Sequence, residues 1–178
     1  MRESRTSGSV GGRAGNRSVY PTYYAMPQLE LRVPPPVIAA AVAAAMWLVS
    51  TTTPLLSASA PLRVVLAVTL ALVGGSFSLA GVVSFRRAKT TVNPMKPENT
   101  TALVTSGVYT VTRNPMYVGL AFVLVAWAVY LLSPVALAGP LAFVLYITRY
   151  QISPEERALS TMFGSEYASY KSKVRRWL

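Results

Sequence analysis

NPMYVGLAFVLVAWAVYLLSPVALAGPLAFVLYIT, residues 114–148, carries no charged side chain over its whole length. As one α-helix it would run about 52 Å at 1.5 Å per residue, against a hydrocarbon layer of about 30 Å. Its middle holds Ser133 followed by Pro134 and Gly139 followed by Pro140, and such pairs interrupt helices. The reading is a helical hairpin: a span over 115–132, a turn around 133–140, and a returning span counted over 135–152.

Two further uncharged stretches, 33–62 and 64–85, precede it. Each has room for the roughly 20 apolar residues of a crossing, which predicts spans near 36–56 and 61–85. The expected fold is therefore all-α, a polytopic membrane protein with about four transmembrane helices. Ala71 and Gly75 form a small-xxx-small pair that predicts close helix contact in span two.

Charge sets the orientation. The chain is 52% apolar yet has a net charge of +11, and the two properties are segregated along it. Sixteen of its seventeen lysines and arginines lie before the first span, between the second and third, or after the fourth; Arg63 is the exception. Four spans bring these groups to one face, and basic flanks favour the cytoplasm. A three-span arrangement would export six of them. The same topology explains the basicity without nucleic acid, which is not expected as a partner.

Residues 1–32 read as a disordered basic tail drawn to anionic lipid, and residues 33–178 as the membrane domain. The tail does not read as a signal peptide, since its apolar run begins too late. The polar stretch 86–113 exceeds a simple turn and predicts an ordered lid or pocket wall. In 153–178, Ser153, Pro154 and Glu156 suit an N-cap, a first helical position and a capping box. Leu159, Met162 and Phe163, then Tyr167, Tyr170 and Val174, give apolar faces to an amphipathic cytoplasmic helix that Gly164 interrupts.

The chain contains neither cysteine nor histidine, and its six acids are all glutamates. Thiolate metal sites, cysteine nucleophiles and imidazole bases are excluded. Two clusters can still carry chemistry. Arg113, Asn114, Pro115, Met116, Tyr117 and Gly119 open span three; Arg149, Tyr150, Glu155 and Glu156 follow span four. A hairpin makes these clusters neighbours at the membrane boundary, where charge is costly and usually paired or functional. A purely structural alternative stands beside this: Asn114 and Pro115 as a helix start, Glu156 as a cap, Arg149 as an interfacial anchor.

LVTSGVYTVTRNPMYVGL (103–120), EERALSTMFGSEYASYKSKVRRWL (155–178) and, upstream, FRRAKTTVNP (85–94) together resemble the isoprenylcysteine carboxyl methyltransferase family. That family lies within the wider group of integral-membrane methyltransferases that includes phospholipid methyltransferases. Asn114 stands where eukaryotic members have histidine, as in the bacterial branch, and Lys89 stands where glycine is expected. The resemblance implies S-adenosylmethionine as methyl donor, with Gly107, Tyr109, Arg113, Asn114, Pro115, Tyr117 and Glu155 around it. It implies Arg149 and Glu156 near the reacting end as catalytic residues. The acceptor would be lipophilic or small and membrane-associated: a carboxylate, a thiol or a lipid amine.

Sulfonium methyl transfer needs alignment more than a strong base, so the missing imidazole is no obstacle. No G-x-G-x-x-G is present to suggest a soluble-type dinucleotide fold. Two other readings remain open on sequence: a small four-span transporter, which would ordinarily need an ionisable residue within a span, and a non-catalytic scaffold of the same fold.

Overall fold

The computed structural model describes residues 30–53, 56–88 and 102–178, and among these the chain is helical without a strand. The helices are α1 (Pro35–Ser50), α2 (Ala60–Arg87), α3 (Pro115–Leu131), α4 (Ala138–Ile147) and α5 (Ser153–Lys173). Short 3-10 turns at Gly107–Thr110 and Pro134–Leu137 precede α3 and α4. A π-helical turn, Thr148–Ile152, joins α4 to α5. Lys89, most of the expected lid, and all but the last residues of the expected tail lie outside the described residues.

α2 and the continuous helical run Pro134–Lys173 are long and apolar enough to cross a membrane, and α1 and α3 are shorter apolar helices. Large side chains stand exposed along α2, among them Val65, Leu72 and Leu79. Such a surface is unusual in water but suits hydrocarbon, where a helix already satisfies its own backbone.

α1 is shorter than the predicted 36–56. From Ser50 onward four consecutive hydroxyls turn back on the chain: Ser50 Oγ donates to the Trp47 carbonyl (2.6 Å), and Thr51, Thr52 and Thr53 donate to the carbonyls of Leu48 or Val49. Side chains that compete for helical carbonyls favour such ends. Thr53 then meets Ser133 Oγ at 3.0 Å, and the Leu56 amide donates to the Leu132 carbonyl, tying this end to the hairpin turn.

The hairpin is present with a tighter turn than 133–140. Leu132 adopts a left-handed conformation (φ 54°) that closes α3, and α4 resumes at Ala138. Gly139 and Pro140 therefore belong to the first turn of α4, where a proline has no helical amide bond to lose. Gly139 is backed directly by the Met46 side chain of α1. The Trp127 indole donates to the Ala43 carbonyl at 3.0 Å, pinning α1 to α3.

Ser153 does not cap a new helix. The chain runs on from α4 into α5, and the Ser153 hydroxyl donates to the Thr148 carbonyl at 2.7 Å. Pro154, now interior, can supply no amide to the carbonyl of Tyr150, and its ring crowds that group. The π turn is the local answer, as bulges often are where the ladder is broken. The released Tyr150 carbonyl accepts the Leu31 amide at 3.1 Å. Gly164 (φ 47°, ψ −119°) kinks α5, as its position suggested.

The close contact of α2 lies one residue round from the predicted Ala71 and Gly75. A Cβ on Gly74 would stand 2.6 Å from the Gly119 carbonyl oxygen, and one on Gly81 would meet Met116 at 2.9 Å, whereas Gly75 faces open space. Backbone cannot yield as a side chain can, so Gly74→Leu is expected to separate α2 from α3, costing at least the 1–3 kcal/mol typical of overpacking. Gly75→Leu should behave as wild type. Size-exclusion profiles and melting in detergent compare the two; equal behaviour would refute the assigned face.

Candidate functional site

The open ends of the hairpin meet, and the C-terminal tail closes over them. Beyond α5 the chain turns extended at Val174. The Arg175 carbonyl accepts the Arg113 amide (2.9 Å), and the Arg176 carbonyl accepts both Asn114 Nδ2 (2.9 Å) and Thr112 Oγ1 (3.1 Å). The Asn114 side chain thus ties down the tail and does not cap α3. The Trp177 indole donates to Thr148 Oγ1 at 3.2 Å, fastening the tail to the π turn.

Two carboxylates anchor the site. Glu156 receives Arg113 Nη2 at 3.0 Å, and Arg176 grips both of its oxygens, Nε at 3.0 Å and Nη2 at 2.6 Å. Such two-point pairing is strong and orienting. Glu156 is therefore an ion-pair hub and not a capping acid. Arg113 is deeply buried, its side chain 8% accessible, and its Nε and Nη1 find no partner among the described residues. Buried guanidinium N–H groups left open in this way call for an acceptor.

Glu155, one residue earlier, turns elsewhere. Its Oε1 accepts the Tyr117 hydroxyl at 2.6 Å and the Gln151 amide at 3.0 Å. Gln151 is one helical turn before Glu155, the spacing at which side chains on one face meet. Burial pushes the Glu155 carboxyl up to about 7, with the neighbouring Glu156 adding to the rise while the Tyr117 and Gln151 hydrogen bonds oppose it.

A tyrosine wall completes the cluster. Gly107 holds a left-handed conformation (φ 64°) with Ser84 behind it, which opens the turn that presents Tyr109. The Tyr109 ring sets its edge against Phe85, with centroids 5.4 Å apart, and its carbonyl accepts the Tyr170 hydroxyl at 2.7 Å. Burial raises the Tyr109 and Tyr170 phenols well above their ordinary range, and Tyr167 to about 12. All three are neutral at physiological pH and serve as hydrogen-bond donors or π faces. Pro115 is buried at the start of α3 against Gly81.

Of the nine residues singled out by sequence, Gly107, Tyr109, Arg113, Asn114, Pro115, Tyr117, Glu155 and Glu156 therefore lie around one region. Arg149 is turned from it. Its guanidinium binds Glu30 at 3.0 Å, as does that of Arg157. Gln151 and Arg176 join the same cluster through Glu155 and Glu156, and neither is among the nine. The helical spacing to Glu155 was a usable signal for Gln151; the basic end before Trp177 was a recognised motif without a role.

Compared with known proteins, residues 62–166 match the family model described as phospholipid methyltransferase. An uncharacterized protein of Haemophilus influenzae is 46% identical over 63 residues, 35% of this chain and the whole of that protein. A protein-S-isoprenylcysteine O-methyltransferase of Xenopus laevis is 40% identical over 75 residues, 40% of this chain and 25% of the relative. A methanethiol S-methyltransferase 1 of Bradyrhizobium diazoefficiens is 41% identical over 69 residues, 37% of this chain and 22% of the relative. The chain thus spans about a quarter or less of these two named enzymes. With its family match covering more than half its length, and with apolar helices that fit membrane spans, the chain belongs to the phospholipid methyltransferase family of membrane methyltransferases.

Proposed function

We propose that the protein is an S-adenosylmethionine-dependent methyltransferase acting on a membrane-associated carboxylate, thiol or lipid amine. In this reading residues 33–178 form a four-span domain with both ends and the 86–113 loop in the cytoplasm, and α5 extends the fourth span into that side. The observation that carries the reading is the convergence of Tyr117, Glu155, Arg113 and the tyrosine wall at the hairpin mouth.

The residues present fit the donor. The open N–H groups of Arg113 suit its carboxylate, and Asn114 and Pro115 shape the helix start beside them. Glu155 can accept ribose hydroxyls, and the faces of Tyr109 and Tyr117 can hold a cation by roughly 0.5–2 kcal/mol. Gly107 admits the turn that sets Tyr109. When bound, the donor supplies an electrophilic methyl group on a sulfonium sulfur, which becomes a neutral thioether as the acceptor's lone pair forms the new bond. Glu156 holds Arg113 and Arg176 in position at the reacting end. Orientation of this kind can contribute about 7–11 kcal/mol in favourable cases. Between α1, α2 and α3 an apolar cavity of about 520 Å³, lined by Ala39, Ala67, Leu120 and Trp127 among others, suits a lipophilic acceptor.

Titration calorimetry with S-adenosylmethionine on folded protein in detergent tests the reading; saturable binding is expected, and its absence would refute it. The pH dependence follows from Glu155, raised to about 7 by burial. Its ionised form is the better partner for hydroxyls and for a sulfonium. Donor affinity should therefore climb between pH 6 and 8 and flatten above, with proton release on binding below pH 7. Stability of the unliganded protein runs the other way. The folded state binds the proton more tightly than the unfolded state, so the penalty from Glu155 grows as pH rises from the ordinary carboxylate range to about 7. An affinity indifferent to pH would remove Glu155 from the donor site.

A further inference from the structure

We infer that Arg149 and Arg157 form an anion-binding site for the phosphate headgroup of a membrane lipid, filled in this structure by the carboxylate of Glu30. One guanidinium addresses each oxygen: Arg149 Nη1 lies 3.0 Å from Oε1, and Arg157 Nη2 bonds Oε2. The Glu30 side chain is 1% accessible, while those of Arg149 and Arg157 remain 56% and 54% accessible. Both arginine side chains are thus open to a ligand from outside.

The charges do not balance. Two guanidinium groups meet one carboxylate, leaving a surplus positive charge, and the neighbouring Arg32 is exposed. A phosphate offers more charge and more acceptor oxygens, in a geometry that arginine forks match.

The setting points to a lipid as the source. The Arg149 guanidinium stands 5.5 Å from the Tyr150 ring centroid, and Tyr150 packs against Tyr146 at 4.8 Å. Tyrosines topped by arginine at the end of an apolar helix mark headgroup depth, and basic groups there attract anionic lipid.

Backbone strain beside Glu30 favours its displacement. Glu30 is carried by an arm whose next residue, Leu31, is forced into a left-handed conformation (φ 56°), a costly one for a branched side chain. The arm's backbone is held by the Leu31 amide on the Tyr150 carbonyl, the group that Pro154 leaves without its helical donor. Gln151 and Glu155 face Tyr117 from another side of the same helix, so this site does not rest on the methyl-transfer reading.

Removing the internal competitor tests the inference. The full chain in detergent is titrated with dihexanoyl phosphatidic acid and, separately, with inorganic phosphate, following thermal stability. Glu30→Ala should bind the lipid at least about tenfold more tightly than wild type, and adding Arg157→Ala should abolish the gain. Glu30→Gln, nearly isosteric and uncharged, repeats the test with the packing of the arm retained. Arg157→Ala alone should leave S-adenosylmethionine binding unchanged, which separates this site from the donor pocket. No gain in either Glu30 variant overturns the site; phosphate binding as tightly as the lipid overturns the lipid as its ligand.

Discussion

Replacing Glu155 with alanine will reduce S-adenosylmethionine binding at least about 100-fold, while the protein remains folded. Hydrogen bonds to charged groups are worth roughly 1.5–3 kcal/mol each, and the carboxylate is proposed to hold two ribose hydroxyls. Folding should survive because Glu155 is a buried acid whose ionised form burial disfavours; removing it relieves a penalty that offsets the lost Tyr117 and Gln151 bonds. Tyr117→Phe is the finer probe. It removes the 2.6 Å hydrogen bond that opposes the rise of Glu155, so the pH at which donor affinity reaches its plateau should move upward. Tyr117→Ala, which also removes the ring, should weaken binding severely. Calorimetry across pH 6–9, with circular dichroism as the control for folding, reads all three. Wild-type affinity in Glu155→Ala would end the proposed donor site.

Glu156→Ala will act on the fold itself. Breaking a buried ion pair from one side typically costs about 3–5 kcal/mol, because a charge is stranded away from water. Here the stranded charge is Arg113, whose Nη2 contacts Glu156 while its Nε and Nη1 have no partner among the described residues. Arg176, also gripped by Glu156, would be left facing Arg113. Lys171, half exposed and 3.9 Å away, contributes little. The tail that Arg176 helps hold carries the carbonyls bonded by Thr112 and Asn114, so the α3 start should loosen with it. Glu156→Ala should therefore melt well below wild type in detergent. The double variant Arg113→Ala with Glu156→Ala should recover part of the loss, since the unpaired charge is gone, and a double-mutant cycle measures that coupling. A Glu156→Ala protein as stable as wild type would show that the hub is not a support of the fold.

Much of the fold was legible in the sequence because a bilayer reads simple, local properties. Uncharged length located α2, α3 and the run into α4, and proline with glycine located the hairpin turn between them. The same signals placed the site's halves together: once 114–148 folds back on itself, Tyr117 and Glu155 have to share an end. Roles for those residues came only from the resemblance to the family, and they stand as proposals.

What only the tertiary structure decided concerns direction. An all-apolar helix such as α2 has no polar face to mark its packed side, so Gly74 could not be told from Gly75 until Gly119 stood against it. Ser153 had the form of a cap, but the Leu31 amide, over a hundred residues away, takes the carbonyl that Pro154 abandons and lets the helix continue. Arg149 and Glu155 are six residues apart, yet one turns to Glu30 and the other to Tyr117. Segments that cross a membrane are determined by their own residues, because each must satisfy its backbone alone. Which way a charged side chain turns depends on a partner supplied from elsewhere in the chain, and no local pattern contains that partner.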